Sequence, residues 1–267
     1  MNIRPANTPD SFRSSYRRQA RLLLLLSGVG IAVFLAVAYV VTNGSVQASD
    51  ESFLLGLRSN ADPSVPNGPA WLLPAMKAVT TLGNGWFFTL VVCIAVGVLA
   101  WRRDWSAMWL LIAVSLGGFF LMLALKAGFA RPRPVVVPWL IDTAEFSFPS
   151  GHAMMSAAIY VSLAVMLARG LRQRGARAAL IAEAVLLSLL IGFTRTYIGV
   201  HYPSDVVAGW AIGAFWAGLC WLGASMWSAR GGGGPVAPGE ARGNRRGLPS
   251  PASYFARSSL IFCSVLS

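Results

Sequence analysis

Six runs of about 20 residues, nearly free of charge, divide this 267-residue chain, and no other feature limits its fold so strongly. A bilayer's hydrocarbon core takes about 20 apolar residues per helix. Backbone inside lipid must also satisfy its own hydrogen bonds, so such runs fold as membrane-crossing helices. The runs are roughly 22–41, 83–101, 106–125, 152–168, 178–193 and 206–227. With 55% hydrophobic and 12% charged residues the composition excludes a soluble globular domain. The expected class is all-α: a polytopic membrane protein with six transmembrane helices.

Around these spans the sequence divides into a basic arm over 1–21, a six-helix domain over 22–228 and a flexible tail over 229–267, which opens on four glycines. Short loops on the cytoplasmic side of a membrane collect Lys and Arg. With the N-terminus inside, sixteen of the 22 basic residues fall on that side, leaving only Arg58, Lys77, Lys126, Arg131, Arg133 and Arg195 outside. The expected placement is the plasma membrane, inner where there are two, with both termini cytoplasmic. The net charge of +12 is then topogenic or faces anionic headgroups, and nucleic acid is not expected as a partner. Between the first two spans, residues 71–82 are read as an amphipathic helix lying on the membrane.

The exceptions to the charge rule carry chemistry. The chain has two histidines, and each lies in a short string on the outer side: Pro149-Ser150-Gly151-His152, and Arg195 followed by His201 and Asp205. Upstream stand Lys126 and Arg133-Pro134. Spans three to six bring the loops 126–152 and 194–205 to one interface, so the active site is expected at the outer membrane-water boundary. A neutral imidazole attacks phosphorus best when a carboxylate fixes its other ring nitrogen, and Asp205 is the candidate for His201. Ser150 and Gly151 stand where a helix begins, and a helix N-terminus offers free N–H groups to phosphate oxygens. His152, in its first turn, is the candidate general acid. Lys126, Arg133 and Arg195 supply cations for the equatorial oxygens, with arginine's planar fork suited to that work. No Gly-rich nucleotide loop and no zinc-type spacing of histidines occurs, so neither cofactor nor metal is expected. Cys93, Cys220 and Cys263 form no disulfide framework.

Lys126 to Pro134, Pro149 to His152 and Arg195 to Asp205, in that order over about 80 residues, resemble the three-part signature of the type-2 phosphatidic acid phosphatase superfamily. The resemblance implies a metal-free phosphatase in which His201 is the nucleophile and His152 the acid. Asp205 assists, while Lys126, Arg133, Ser150, Gly151 and Arg195 hold phosphate. Thr194 departs from the serine usual before the third string's arginine, but keeps a hydroxyl. The implied substrates are lipid phosphates or pyrophosphates: undecaprenyl pyrophosphate first, given the outer site, then phosphatidylglycerophosphate and phosphatidate. A phosphotransferase acting from the same intermediate onto an acceptor other than water is the rival within the superfamily. Outside it stands a membrane scaffold or transporter with a degenerate site, against which no expected catalytic group is missing. The oligomeric state is left open.

Three further features have blander readings. Arg131, beside the first string but not of it, is read as a contact for lipid phosphate. Glu183, about a turn and a half inside the fifth span, is read as an acid hydrogen-bonded between helices, with a part in lipid movement as the alternative. Trp86, Trp101 and Trp105, near span ends, are read as interfacial anchors.

Overall fold

The structure is a computed structural model and describes residues 10–143 and 146–231. The first nine residues of the basic arm and the tail from residue 232 lie outside the described residues. The chain is built from α1 (Asp10–Thr42), α2 (Gln47–Gly56), α3 (Leu72–Thr81), α4 (Gly85–Trp101), α5 (Trp105–Ile112), a π-helical turn (Ala113–Gly117), α6 (Gly118–Phe129), α7 (Gly151–Ala168), α8 (Arg174–Tyr197) and α9 (Pro203–Gly231). Among the described residues no strand forms. The nearest approach to one is a single antiparallel bridge between Arg58 and Pro66.

Among the described residues five helical stretches are long and apolar enough to cross a membrane: Ala20–Thr42, Trp105–Phe129, Gly151–Ala168, Arg174–Tyr197 and Pro203–Trp227. The expected second span is made in two pieces, α3 and α4, which meet at an angle of 48°. The corner falls at Gly83-Asn84, two poor helix formers in succession. α1 starts at Asp10, some way before the apolar run, because most residues of the basic arm from there on are tolerable helix formers. Trp86, Trp101 and Trp105 are exposed at span ends, as expected of interfacial anchors. Large apolar side chains on the outward faces, among them Leu25, Val29, Trp109, Phe120 and Leu186, are exposed as well, which suits contact with lipid.

α9 is the hub. It packs along α1 and against α7, and α7 in turn lies along α8. Close approach comes from small residues: a Cβ on Gly213 would stand 2.3 Å from the Met154 carbonyl oxygen, and one on Gly209 would stand 2.6 Å from that of Ser150. The π-helical turn has a partner too. Trp216 of α9 lies against Gly117 and donates through Nε1 to the Val114 carbonyl at 3.1 Å.

α3 is not simply a surface helix on lipid, since it packs on α8 and buries Thr80. Glu183 is not held between helices: it is exposed on the outward face of α8, where neighbouring Ala182, Val185 and Leu186 are exposed too. Helical periodicity turns its side of α8 away from α7, the helix that α8 packs along.

Candidate active site

The C-terminal ends of α6 and α8 and the N-terminal ends of α7 and α9 lie at one end of the bundle, and the residues singled out in the sequence gather there. Each is delivered by a local device. Lys126 sits in the last turn of α6, which stops at Ala130 in a left-handed conformation (φ 45°). Pro132 and Pro134 keep the following backbone extended, so Arg131 and Arg133 project to the same side. Both reach the turn over residues 200–205. Ser150 is the extended residue before α7, and its backbone N–H donates to the Asp205 carbonyl at 2.9 Å, tying two of the sequence strings together. Arg195 lies in the last turn of α8. The chain then bends through Gly199 (φ +88°), a conformation open to glycine, and presents His201 just before α9.

His201 is buried, as is Asp205 in the first turn of α9. An Arg133 guanidinium nitrogen lies 3.2 Å from His201 Nε2 and also donates to the Val200 carbonyl at 2.6 Å. Guanidinium has no lone pair to offer, so Nε2 must be the accepting nitrogen and the ring proton sits on Nδ1. Nδ1 lies 3.4 Å from Asp205 Oδ2, near but without a hydrogen bond. Burial, and then the charges of Arg133, Arg195 and Lys126, hold the His201 imidazole well below its ordinary pKa; the Ser147 backbone carbonyl, an acceptor, acts the other way. His201 is therefore neutral at pH 7, with a bare Nε2.

Arg195 donates to Thr80 Oγ1 at 3.1 Å, and Lys126 donates to the Phe146 carbonyl. The Ser150 hydroxyl is buried without a hydrogen-bond partner. Thr194 is buried, its hydroxyl donating within α8 to the Ile191 carbonyl at 2.6 Å. Among the described residues no group of three or more His, Cys, Asp and Glu is placed to hold a metal ion. What converges is a set of cations and N–H or O–H donors around one neutral imidazole, an arrangement that accepts an anion with several oxygens.

Arg131 does not face lipid, contrary to the sequence reading. It is buried, pairing with Asp205 at 2.7 Å and with Asp50 of α2 at 2.9 Å, and lies over the Tyr202 ring at 4.1 Å. It also donates to Ser204 Oγ at 2.8 Å and Gln47 Oε1 at 3.0 Å. Asp50 accepts the Ser204 backbone N–H at 3.0 Å. A guanidinium between two carboxylates thus fixes Asp205 from behind, and α2 is the anchor. Asp205 Oδ2 also accepts the Tyr202 N–H at 2.9 Å.

The sequence reading missed two side chains at the α3–α4 corner, Thr80 and Asn84. Asn84 Oδ1 lies 3.0 Å from His152 Nε2. A polar pair at a span's mouth, Gly83-Asn84, was the available signal. Nothing in the sequence placed it beside His152.

Residues 106–228, which include every site residue except those of α2 and the α3–α4 corner, match the PAP2 superfamily. Phosphatidylglycerophosphatase B of Bacillus subtilis is 30% identical over 182 residues, 67% of this chain and 85% of that protein. An undecaprenyl-diphosphatase of Sulfolobus acidocaldarius is 34% identical over 87 residues, 33% of this chain and 36% of that one. Among solved structures, a transmembrane PAP2-type phosphatidylglycerolphosphate phosphatase from Bacillus subtilis superposes with a TM-score of 0.62 at 28% identity, over 72% of this chain and 94% of that one.

Proposed function

The chain belongs to the PAP2 superfamily, and from that premise we propose that it is a membrane phosphatase that removes the terminal phosphate of a lipid phosphate or pyrophosphate through a phosphohistidine on His201. The observation that carries the reading is the bare Nε2 of a buried, neutral imidazole 3.2 Å from the Arg133 guanidinium. A nucleophilic lone pair and an anion-binding group then share one site.

In this reading Nε2 attacks phosphorus as the bond to the leaving oxygen breaks, and His152 gives that oxygen a proton. Positive charge develops on the His201 ring, and Asp205 lies 3.4 Å from Nδ1 to stabilise it. Closing that gap makes the contact stronger in the transition state than in the ground state. Lys126, Arg133 and Arg195 hold the equatorial oxygens, with the Ser150 hydroxyl and the Gly151 N–H at the start of α7. Water then attacks the phosphohistidine, gives a proton to His152 and releases phosphate. The cationic donor set favours phosphate over a metal ion, which it would repel, so the reaction is proposed to need no metal.

Arg102, Arg103, Arg172 and Arg174 lie at helix ends opposite the site. With the positive-inside tendency this supports a site facing the exterior or periplasm of the plasma membrane. Undecaprenyl pyrophosphate, exposed there as a spent carrier, is the leading substrate. The names of the relatives keep phosphatidylglycerophosphate beside it. The test is phosphate release by the purified full-length protein in EDTA, with His201→Ala alongside, on undecaprenyl pyrophosphate, phosphatidylglycerophosphate and phosphatidate. EDTA-resistant release that disappears in the variant is expected. No release from all three by folded protein would reject hydrolysis and favour transfer to another acceptor.

A further inference from the structure

We propose that Asn84 is a positioning residue for His152, fixing its ring so that Nδ1, not Nε2, exchanges the catalytic proton; this rests on the phosphatase reading above. The corner between α3 and α4 is a fourth segment of the site. Asn84 Oδ1 lies 3.0 Å from His152 Nε2, and an amide oxygen carries no proton, so Nε2–H is the donor. The corner touches the ring directly: a Cβ on Gly83 would stand 2.5 Å from His152 Cδ2. Two further bonds hold the corner in place. Arg195 donates to Thr80 at 3.1 Å, and Tyr160, two turns along α7 from His152, donates to the Leu82 carbonyl.

The consequence concerns proton traffic. With Nε2–H committed to Asn84, the ring reacts as the imidazolium, its second proton on Nδ1 favoured by the bound phosphate, and that Nδ1 proton passes to the leaving oxygen as the P–O bond breaks and the P–N bond to His201 forms. The neutral ring then keeps its lone pair on Nδ1 and takes the proton of the attacking water as the P–N bond breaks. Without Asn84 the ring is free to rotate or to adopt the other tautomer, and the acid is misplaced in part of the population. Second-partner hydrogen bonds of this kind orient histidines generally.

A leaving group that needs no proton separates this role from a structural one. Asn84→Ala is assayed on a lipid alkyl phosphate, whose alkoxide leaves poorly unprotonated, and on p-nitrophenyl phosphate, whose phenolate leaves well. The readout is kcat/KM, which reports only the phosphorylation half of the cycle. General acid catalysis contributes about 10²- to 10⁴-fold. The expected result is a loss of roughly 10²-fold on the alkyl substrate, less than about threefold on the aryl one, and no further loss on the alkyl substrate in a His152→Ala background. Asn84→Asp, which still accepts the Nε2–H, is expected to restore most alkyl activity, and its folding is checked by thermal melting beside the alanine variant. Equal losses on both substrates, unchanged activity on both, or losses that multiply with His152→Ala would overturn the proposal. Failure of the underlying reading is seen separately, as His201→Ala hydrolysing both substrates, and it removes the positioning role with it.

Discussion

One methyl group at Gly209 is enough to test whether the close packing of α7 on α9 sets the site. Gly209 lies one turn beyond Asp205, and its missing Cβ would stand 2.6 Å from the Ser150 carbonyl oxygen and 2.9 Å from Ala153 Cβ. Ordinary contact begins near 3.4 Å, so Gly209→Ala forces the first turn of α7 back by about 0.8 Å. The same retreat strains the 2.9 Å bond from Ser150 N–H to the Asp205 carbonyl beyond good hydrogen-bonding length. It also moves Ser150, Gly151 and His152 relative to His201. A misplacement near 1 Å costs on the order of 10²-fold in rate, so kcat is expected to fall roughly 10- to 100-fold. Overpacking should cost about 1–3 kcal/mol of stability. Phosphate release in detergent micelles reads the first effect and thermal melting the second. Gly28→Ala and Gly97→Ala, where a Cβ meets nothing within 4 Å, are the controls and should keep wild-type activity. If Gly209→Ala keeps a kcat within about twofold of wild type, the helix contact does not position the phosphate site.

Ser150→Ala should weaken phosphate binding and slow turnover roughly 10- to 10²-fold while leaving the melting temperature unchanged or slightly raised, because the hydroxyl it removes is buried without a partner. Arg131→Met leaves Asp50 and Asp205 buried and uncompensated, and breaking such a pair costs about 3–5 kcal/mol, to be seen as a large drop in melting temperature. Removing one of the two stranded carboxylates with Asp50→Asn in the same chain should recover part of that loss. The acid limb of kcat/KM attributable to His201 should lie below pH 6.5, since its pKa is held down in the folded protein. The same shift gives a stability slope with a definite sign. Between the lowered folded pKa and about 6.5 the unfolded chain binds a proton that the folded chain does not, so stability falls as pH drops through that window. His201→Asn should flatten that part of the curve.

The sequence carried the fold further than it carried the site's supports. Span positions could be read because lipid admits only one backbone solution for a 20-residue apolar run, and the π-helical turn and the break at Gly83-Asn84 are local departures within it. Lys126, Arg133, Ser150, Gly151, His152, Arg195, His201 and Asp205 share a set of spacings, and the structure brings them to one end of the bundle. Thr80, Asn84 and Asp50 have no such pattern. Asn84 meets a histidine 68 residues away, and Asp50 meets Ser204 across 154 residues, so only tertiary packing reveals either contact. Arg131 was misread for a related reason. An arginine on a loop between spans looks like a headgroup contact until two buried carboxylates from distant segments are found around it. Glu183 was misread because an apolar span gives little sign of which face it turns to its neighbours, and that face is set by packing against α7.

The central claim is that phosphate passes through His201. It is tested most directly by mixing full-length protein with phosphate-labelled substrate in EDTA, quenching into base within milliseconds and locating the label by mass spectrometry of the digest. A base-stable, acid-labile phosphoryl group on His201, formed and consumed at least as fast as turnover, is the predicted result. Turnover with no label on His201, together with a His201→Ala variant that hydrolyses within tenfold of wild type, would contradict the account.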